Sequence, residues 1–112
     1  MNDYKIYKGT TIVAGEVIAP LIIIDSTCLN VGTEEVAGKI AVIRTATPAV
    51  VLWLRKATGL VIERGGVASH GAILAREFNI PCIVGVPGVY DSGINGLLGS
   101  LQSDLGVLKV WQ

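Results

Sequence analysis

The sequence is short of excess charge, of histidine, of cysteine and of uninterrupted apolar stretches, and each shortage closes a route to function. Nine Lys and Arg face nine Asp and Glu, so the formal net charge is zero. A neutral chain carries no electrostatic footprint for nucleic acid or for an anionic membrane surface, and neither is expected as a partner. The apolar stretch at residues 17–24 is cut by Pro20, and residues 49–54 fall far short of the roughly 20 that a membrane helix needs. Met1, Asn2, Asp3, Tyr4 and Lys5 hold no basic region followed by an apolar one, so no signal peptide is expected there. The two cysteines, Cys28 and Cys82, lie far apart and read as core residues of a cytoplasmic protein. Together with His70 they supply three zinc-ligand types, but nothing has ligand spacing such as C-x2-C, and no metal site is expected.

What is present is apolar: 51% of the 112 residues are hydrophobic and 16% charged. That suits one compact domain over residues 1–112 and leaves no room for a second, or for a self-contained multi-substrate enzyme. Short apolar runs alternate with glycines, which predicts many strands and few helices. Residues 17–19 and 21–24 read as strands parted by a bend at Pro20. Residues 39–43 form a buried strand, residues 49–58 a helix with Pro48 in its first turn and Gly59 at its end, and residues 60–63 another strand. A glycine loop follows, then a helix over residues 69–78 opened by Ser69 and stopped by Pro81, then a strand at 82–86. The glycine-spaced tail from Gly93 to Trp111 predicts a pair of short strands. Helices between the central strands, with strands alone at both ends, make this a mixed α/β layered domain.

His70 is the only histidine. It stands where a strand ends, a double-glycine loop follows and a helix starts. Gly65 and Gly66 accept φ values that other residues avoid, so the loop can turn several N–H groups toward one spot. The first turn of the helix adds unpaired donors and the positive end of the helix dipole. Such a place holds phosphate. A histidine there is a candidate nucleophile, and the same N–H groups suit the charge of a phosphoryl group on it. On position alone, though, a lone histidine near a helix start is more often a surface or structural residue. A Ser-His hydrolase fits poorly, because residues 66–71 do not spell G-x-S-x-G. Arg64, beside Gly65, is the candidate charged partner. Arg76 is not, since it falls about 240° around and ~9 Å along the helix from His70. Ser69 is expected to cap the helix or touch phosphate. Ile73 and Leu74 are expected to anchor the helix to the sheet.

Gly65-Gly66-Val67-Ala68-Ser69-His70-Gly71-Ala72-Ile73-Leu74-Ala75-Arg76-Glu77, followed by Ile80-Pro81-Cys82-Ile83-Val84-Gly85, closely resembles the phosphohistidine signature of the phosphoenolpyruvate-utilising enzymes. That family includes phosphoenolpyruvate synthase, pyruvate phosphate dikinase, enzyme I of the sugar phosphotransferase system and rifampicin phosphotransferase. The likeness extends upstream through residues 38–48 and 57–61 and, weakly, to residues 9–17 and the tail. Nearly the whole chain therefore looks like the mobile, swivelling phosphohistidine domain.

The resemblance implies a three-layer β/β/α fold and a phosphorylated His70, and beside it the loop and helix start make Gly65, Gly66, Ser69, Gly71 and Arg64 the candidate phosphate-binding residues. It further implies that the domain shuttles between two active sites. One loads the histidine from ATP or phosphoenolpyruvate, and the other unloads it onto an acceptor such as pyruvate. The expected partners are an ATP-grasp nucleotide-binding domain, a phosphoenolpyruvate- or pyruvate-binding domain, or both, in cis or as separate subunits. No cofactor is expected on this domain itself; Mg2+ belongs with ATP or phosphoenolpyruvate at the partner. Four places depart from the family pattern, among them Gly71, where Ala, Ser or Thr is usual, and Gln102-Ser103-Asp104, where a Val-Asp-Gly turn is common. Ala68 stands where Thr or Ser is common and offers no hydroxyl, and Ala49 replaces a frequent acidic residue. They motivate the alternatives, a non-catalytic docking module on the same fold, or a fragment of a larger synthase-like enzyme.

Overall fold

A computed structural model describes residues 3–25 and 31–112. Cys28 lies outside the described residues. The chain forms β1 (Tyr4–Lys8), β2 (Thr10–Val13), β3 (Glu16–Ile23), α1 (Thr33–Val36), β4 (Ile40–Ile43), α2 (Val51–Leu54), β5 (Gly59–Ile62), α3 (His70–Phe78), β6 (Cys82–Val84), β7 (Leu98–Gln102) and β8 (Val107–Trp111). The strands lie in the order β1-β8-β7-β3-β4-β5-β6-β2. From β3 to β6 they pair in parallel, with β2 antiparallel at the edge of β6; β3, β7, β8 and β1 pair antiparallel.

β4, β5 and β6 are buried along their whole lengths, as continuous apolar runs in a sheet covered on both faces must be. The pleat divides them. Ala41, Ile43, Leu60, Ile62, Cys82 and Val84 point into a core closed by Leu54, Leu74 and Ala75 from the helical layer. Ile40, Val42, Val61 and Ile83 point the other way, into a core closed by Leu101, Leu108 and Val110 from the antiparallel strands. Helices, parallel strands and antiparallel strands thus stack as the three β/β/α layers expected from the sequence.

One strand belongs to both sheet regions. Glu16 to Pro20 pair with β7, and Leu21 to Ile23 pair with β4. Pro20, which has no N–H to donate, marks the change of partner. The two strands expected on either side of it are therefore one, and the bend is a transfer between sheets. The helix expected over residues 49–58 is shorter: a 3-10 turn at Pro48–Val50 leads into α2, which ends at Leu54. The next residues are claimed by the sheet, where Thr58 N–H bonds the Lys39 carbonyl (2.9 Å) and Gly59 pairs with Ile40. Gly59 is no helix cap. A Cβ there would lie 3.0 Å from Leu101 Cδ2 and 3.3 Å from Ile40 Cγ1. Among the described residues, no helix is long and apolar enough to cross a membrane.

Cys82 is wholly buried at the start of β6, and burial pushes its thiol up to about 12, against a smaller opposing pull from Arg76. The unfolded chain ionises this thiol near its ordinary value of 9.0 and the folded chain does not, so the contribution to stability falls as pH rises from about 9 to about 12. Iodoacetamide at mildly alkaline pH should leave the Cys82 peptide unmodified in the folded protein and modify it after denaturation, as peptide mass mapping would show. Equal labelling in both states would contradict the buried placement.

Candidate active site

The carboxyl ends of the parallel strands form one edge of the molecule, and the glycine loop, residues 64–69, carries the chain from β5 at this edge into α3. Ser69 opens the helix with extended backbone; its Oγ accepts the Ala72 N–H at 3.3 Å and its carbonyl accepts the Ile73 N–H at 3.1 Å. Helix geometry then leaves the N–H groups of His70 and Gly71 without an intrahelical acceptor. His70 is the first helical residue and is exposed. At the far end Asn79, with φ 54°, donates to the Ala75 and Arg76 carbonyls and closes the helix.

The glycines of the signature do different things. Gly65 has φ +129° and folds the loop so closely that a Cβ would sit 3.1 Å from Ser69 Oγ. Gly66 has open space around its Cβ position and no positive φ, so backbone freedom is not its role; its carbonyl accepts the Ser69 N–H at 3.0 Å. Gly71 is buried. A Cβ there would fall well inside van der Waals contact of Ile62 Cδ1 and 3.1 Å from Ala46 Cβ. The missing side chain lets the first turn of α3 rest directly on β5 and on the loop after β4.

The charged residues at this edge form a network. Glu63, whose side chain is 10% exposed, accepts the Tyr90 N–H at 3.0 Å and faces Arg44 Nε at 3.5 Å and Arg64 Nε at 3.8 Å. Arg44 continues to Asp91 at 2.5 Å and lies 4.5 Å over the Tyr90 ring. Burial, then Asp25, raise the Tyr90 hydroxyl above its ordinary range, against Arg44. Backbone bonds tie the same strands: Glu63 N–H to the Ile43 carbonyl and Arg64 N–H to the Arg44 carbonyl, both 2.9 Å. Arg64, expected as the charged partner of the site, rests its guanidinium on Glu63 while its side chain stays 67% exposed. Sequence reasoning missed Glu63, Arg44 and Tyr90 as neighbours of the site. The available signal was two charged residues directly following the apolar run of β5, at the end of a parallel strand where such sites gather.

The expectation for the anchor of α3 is also corrected. Leu74 anchors α3 as anticipated, but Ile73 is 51% exposed and does not pack on the sheet. Three positions after His70, it shares the outer face of the helix with it. Val67 in the loop is 55% exposed, and Ala68, which lacks the hydroxyl, is exposed as well. Arg76 is exposed in the last turn of α3. Among the described residues, no group of three or more His, Cys, Asp or Glu could hold a metal ion.

Comparison with known proteins bears on this arrangement. Phosphoenolpyruvate synthase of Aeropyrum pernix is 27% identical over 112 residues, which is 96% of this chain and 14% of that protein. A probable phosphoenolpyruvate synthase of Methanothermobacter thermautotrophicus is 44% identical over 48 residues, 43% of this chain and 7% of that protein. Pyruvate kinase of Staphylococcus epidermidis is 28% identical over 102 residues, 91% of this chain and 17% of that protein. The chain thus spans less than a fifth of the length of these curated relatives. Among solved structures, aconitase X of Thermococcus kodakaraensis in its holo-form shares the fold with a TM-score of 0.73 at 20% identity, over 96% of this chain and 99% of that one. An Enzyme I solution structure aligns with a TM-score of 0.59 at 26% identity, over 71% of this chain and 34% of that one. The family model for the PEP-utilising enzyme, mobile domain, matches residues 35–104, from α1 to the turn after β7 and across the whole glycine loop and α3, and the chain belongs to that family.

Proposed function

We propose that this chain is a phosphoryl carrier, with His70 as the residue that is loaded and unloaded. The observation that carries the reading is an exposed histidine at the first position of α3, beside helix N–H groups that no helical carbonyl uses. A ring nitrogen of His70 attacks the transferring phosphorus of ATP or phosphoenolpyruvate. The N–P bond forms as the P–O bond to the leaving group breaks, with ADP or enolpyruvate departing. In the second transfer an acceptor oxygen, such as that of enolpyruvate, attacks the same phosphorus and the N–P bond breaks.

The chain's own contribution is positioning and charge. The N–H groups of His70 and Gly71 and the helix dipole face the phosphoryl oxygens, Gly65 and Gly66 shape the loop around them, and Arg64 supplies a cation. Ser69 serves first as helix cap, because its Oγ already accepts the Ala72 N–H. The substrate-binding sites belong to an ATP-grasp or phosphoenolpyruvate- and pyruvate-binding partner, in cis or in trans. Mg2+ travels with the donor there, and the setting is cytoplasmic. The competing reading, a docking module that is never phosphorylated, draws on Ala68, which leaves the loop without a hydroxyl.

The test is intact mass after incubation with ATP or phosphoenolpyruvate and an extract of the host. The carrier reading requires one phosphoryl adduct that survives at neutral pH and is lost in acid. A folded protein with no adduct from either donor would favour the docking module.

A further inference from the structure

The resting position of Arg64 raises a question that the carrier reading leaves open. A cation meant for a phosphoryl group on His70 is held, in the unloaded domain, by a carboxylate on the preceding residue. Among the described residues Glu63 has three partners: the Tyr90 N–H at 3.0 Å, Arg44 Nε at 3.5 Å and Arg64 Nε at 3.8 Å. Arg64 is the longest of these contacts and the most exposed of the partners. Its departure leaves the carboxylate still hydrogen-bonded and still paired, so no buried charge is stranded. Arg44 is not free to leave in the same way, since it also holds Asp91 and covers the Tyr90 ring. Gly65, the residue after Arg64, folds against Ser69, the residue before His70. The start of the loop therefore stands beside the head of α3.

Resting on the carrier reading, we infer that Glu63 is a positioning residue that competes with the phosphoryl group of His70 for the Arg64 guanidinium. Unloaded, the domain keeps Arg64 on Glu63. Loading adds about −1.5 to −2 of charge, and the guanidinium moves to the stronger, charge-assisted partner. Glu63 weakens that pairing, and so sets how tightly the phosphoryl group is held before it is passed on.

The test uses the chain alone, because potassium phosphoramidate can load its single histidine without a partner: a ring nitrogen attacks phosphorus and ammonia leaves. In water the N–P bond then breaks as an O–P bond forms, the imidazole regains a proton, and inorganic phosphate is released. Glu63→Gln keeps an oxygen for the Tyr90 N–H and removes only the charge. It should slow this hydrolysis by roughly threefold or more at low ionic strength, and added salt should shrink the difference. Arg64→Gln should speed hydrolysis, and in that background Glu63→Gln should change nothing, as a double-mutant cycle would read. Equal rates for the parent and Glu63→Gln, or the same slowing with and without Arg64, would overturn the inference.

A second measurement needs no loading. His70→Glu places a fixed negative charge at the same position. There Arg64→Gln should lower Tm, whereas in the parent chain, where the Arg64 pair is largely exposed, it should not. Absence of any coupling between positions 64 and 70 would also overturn the inference. Loading by phosphoramidate but by neither ATP nor phosphoenolpyruvate would count against the carrier reading alone.

Discussion

His70→Ala should leave a folded domain that takes up no phosphoryl group from any donor. The sequence offers no second histidine to take over. Loss should therefore be complete in an intact-mass assay, with the acid-labile adduct present on the parent and absent from the variant. Stability should hardly move. The side chain is exposed at the first position of α3, the helix is capped by Ser69 and not by the imidazole, and alanine is a good helix former. Changes at exposed sites of this kind stay within about 0.5 kcal/mol. The pairing of complete loss with an unchanged melting curve is what separates a nucleophile from a structural histidine. An adduct of equal yield on His70→Ala would place the phosphoryl group elsewhere and end the carrier reading.

Much of this architecture was legible because its signals are local. Ser69 before an apolar-periodic run marks the start of α3, and the continuous apolar runs of β4, β5 and β6 announce strands covered on both faces. The glycine loop and His70 stand together in sequence, so the candidate site was visible before any fold. What stayed hidden depends on partners distant in sequence. Pro20 reads as a break until β7 and β4 are seen taking opposite ends of one strand. Gly59 reads as a helix cap until Ile40 and Leu101 are found against it. The apolar pattern of α3 gives Ile73 to the core, but the sheet meets the helix at Gly71, Leu74 and Ala75, and Ile73 stays outside with His70. The hold of Glu63 on Arg64 depends on Arg44 and Tyr90, which no spacing rule brings together.

Gly71 shows how such a hidden contact sets the site, and Gly71→Ala should have the largest effect on stability among the changes considered. Two terms oppose one another. Alanine in place of glycine inside a helix gains about 1 kcal/mol. Against this, the new methyl falls inside the contact distance of Ile62 Cδ1 and 3.1 Å from Ala46 Cβ, both already packed around the head of α3. Overpacking of a filled interior costs about 1–3 kcal/mol. Because Ile62 is 1% exposed and has no open side to turn into, the upper half of that range applies. A net loss of about 1–2 kcal/mol is expected, a fall in Tm of roughly 5–10 °C. Relief by tilting the first turn would carry His70 with it, so phosphoryl uptake should fall as well. Ile62→Val removes the Cδ1 that the new methyl meets. Alone it should cost about 0.5–1.5 kcal/mol. Combined with Gly71→Ala it should recover both Tm and uptake relative to the sum of the single changes, giving a coupling of about 1 kcal/mol or more. Strict additivity of the two would show that the glycine is not there to seat α3 on β5.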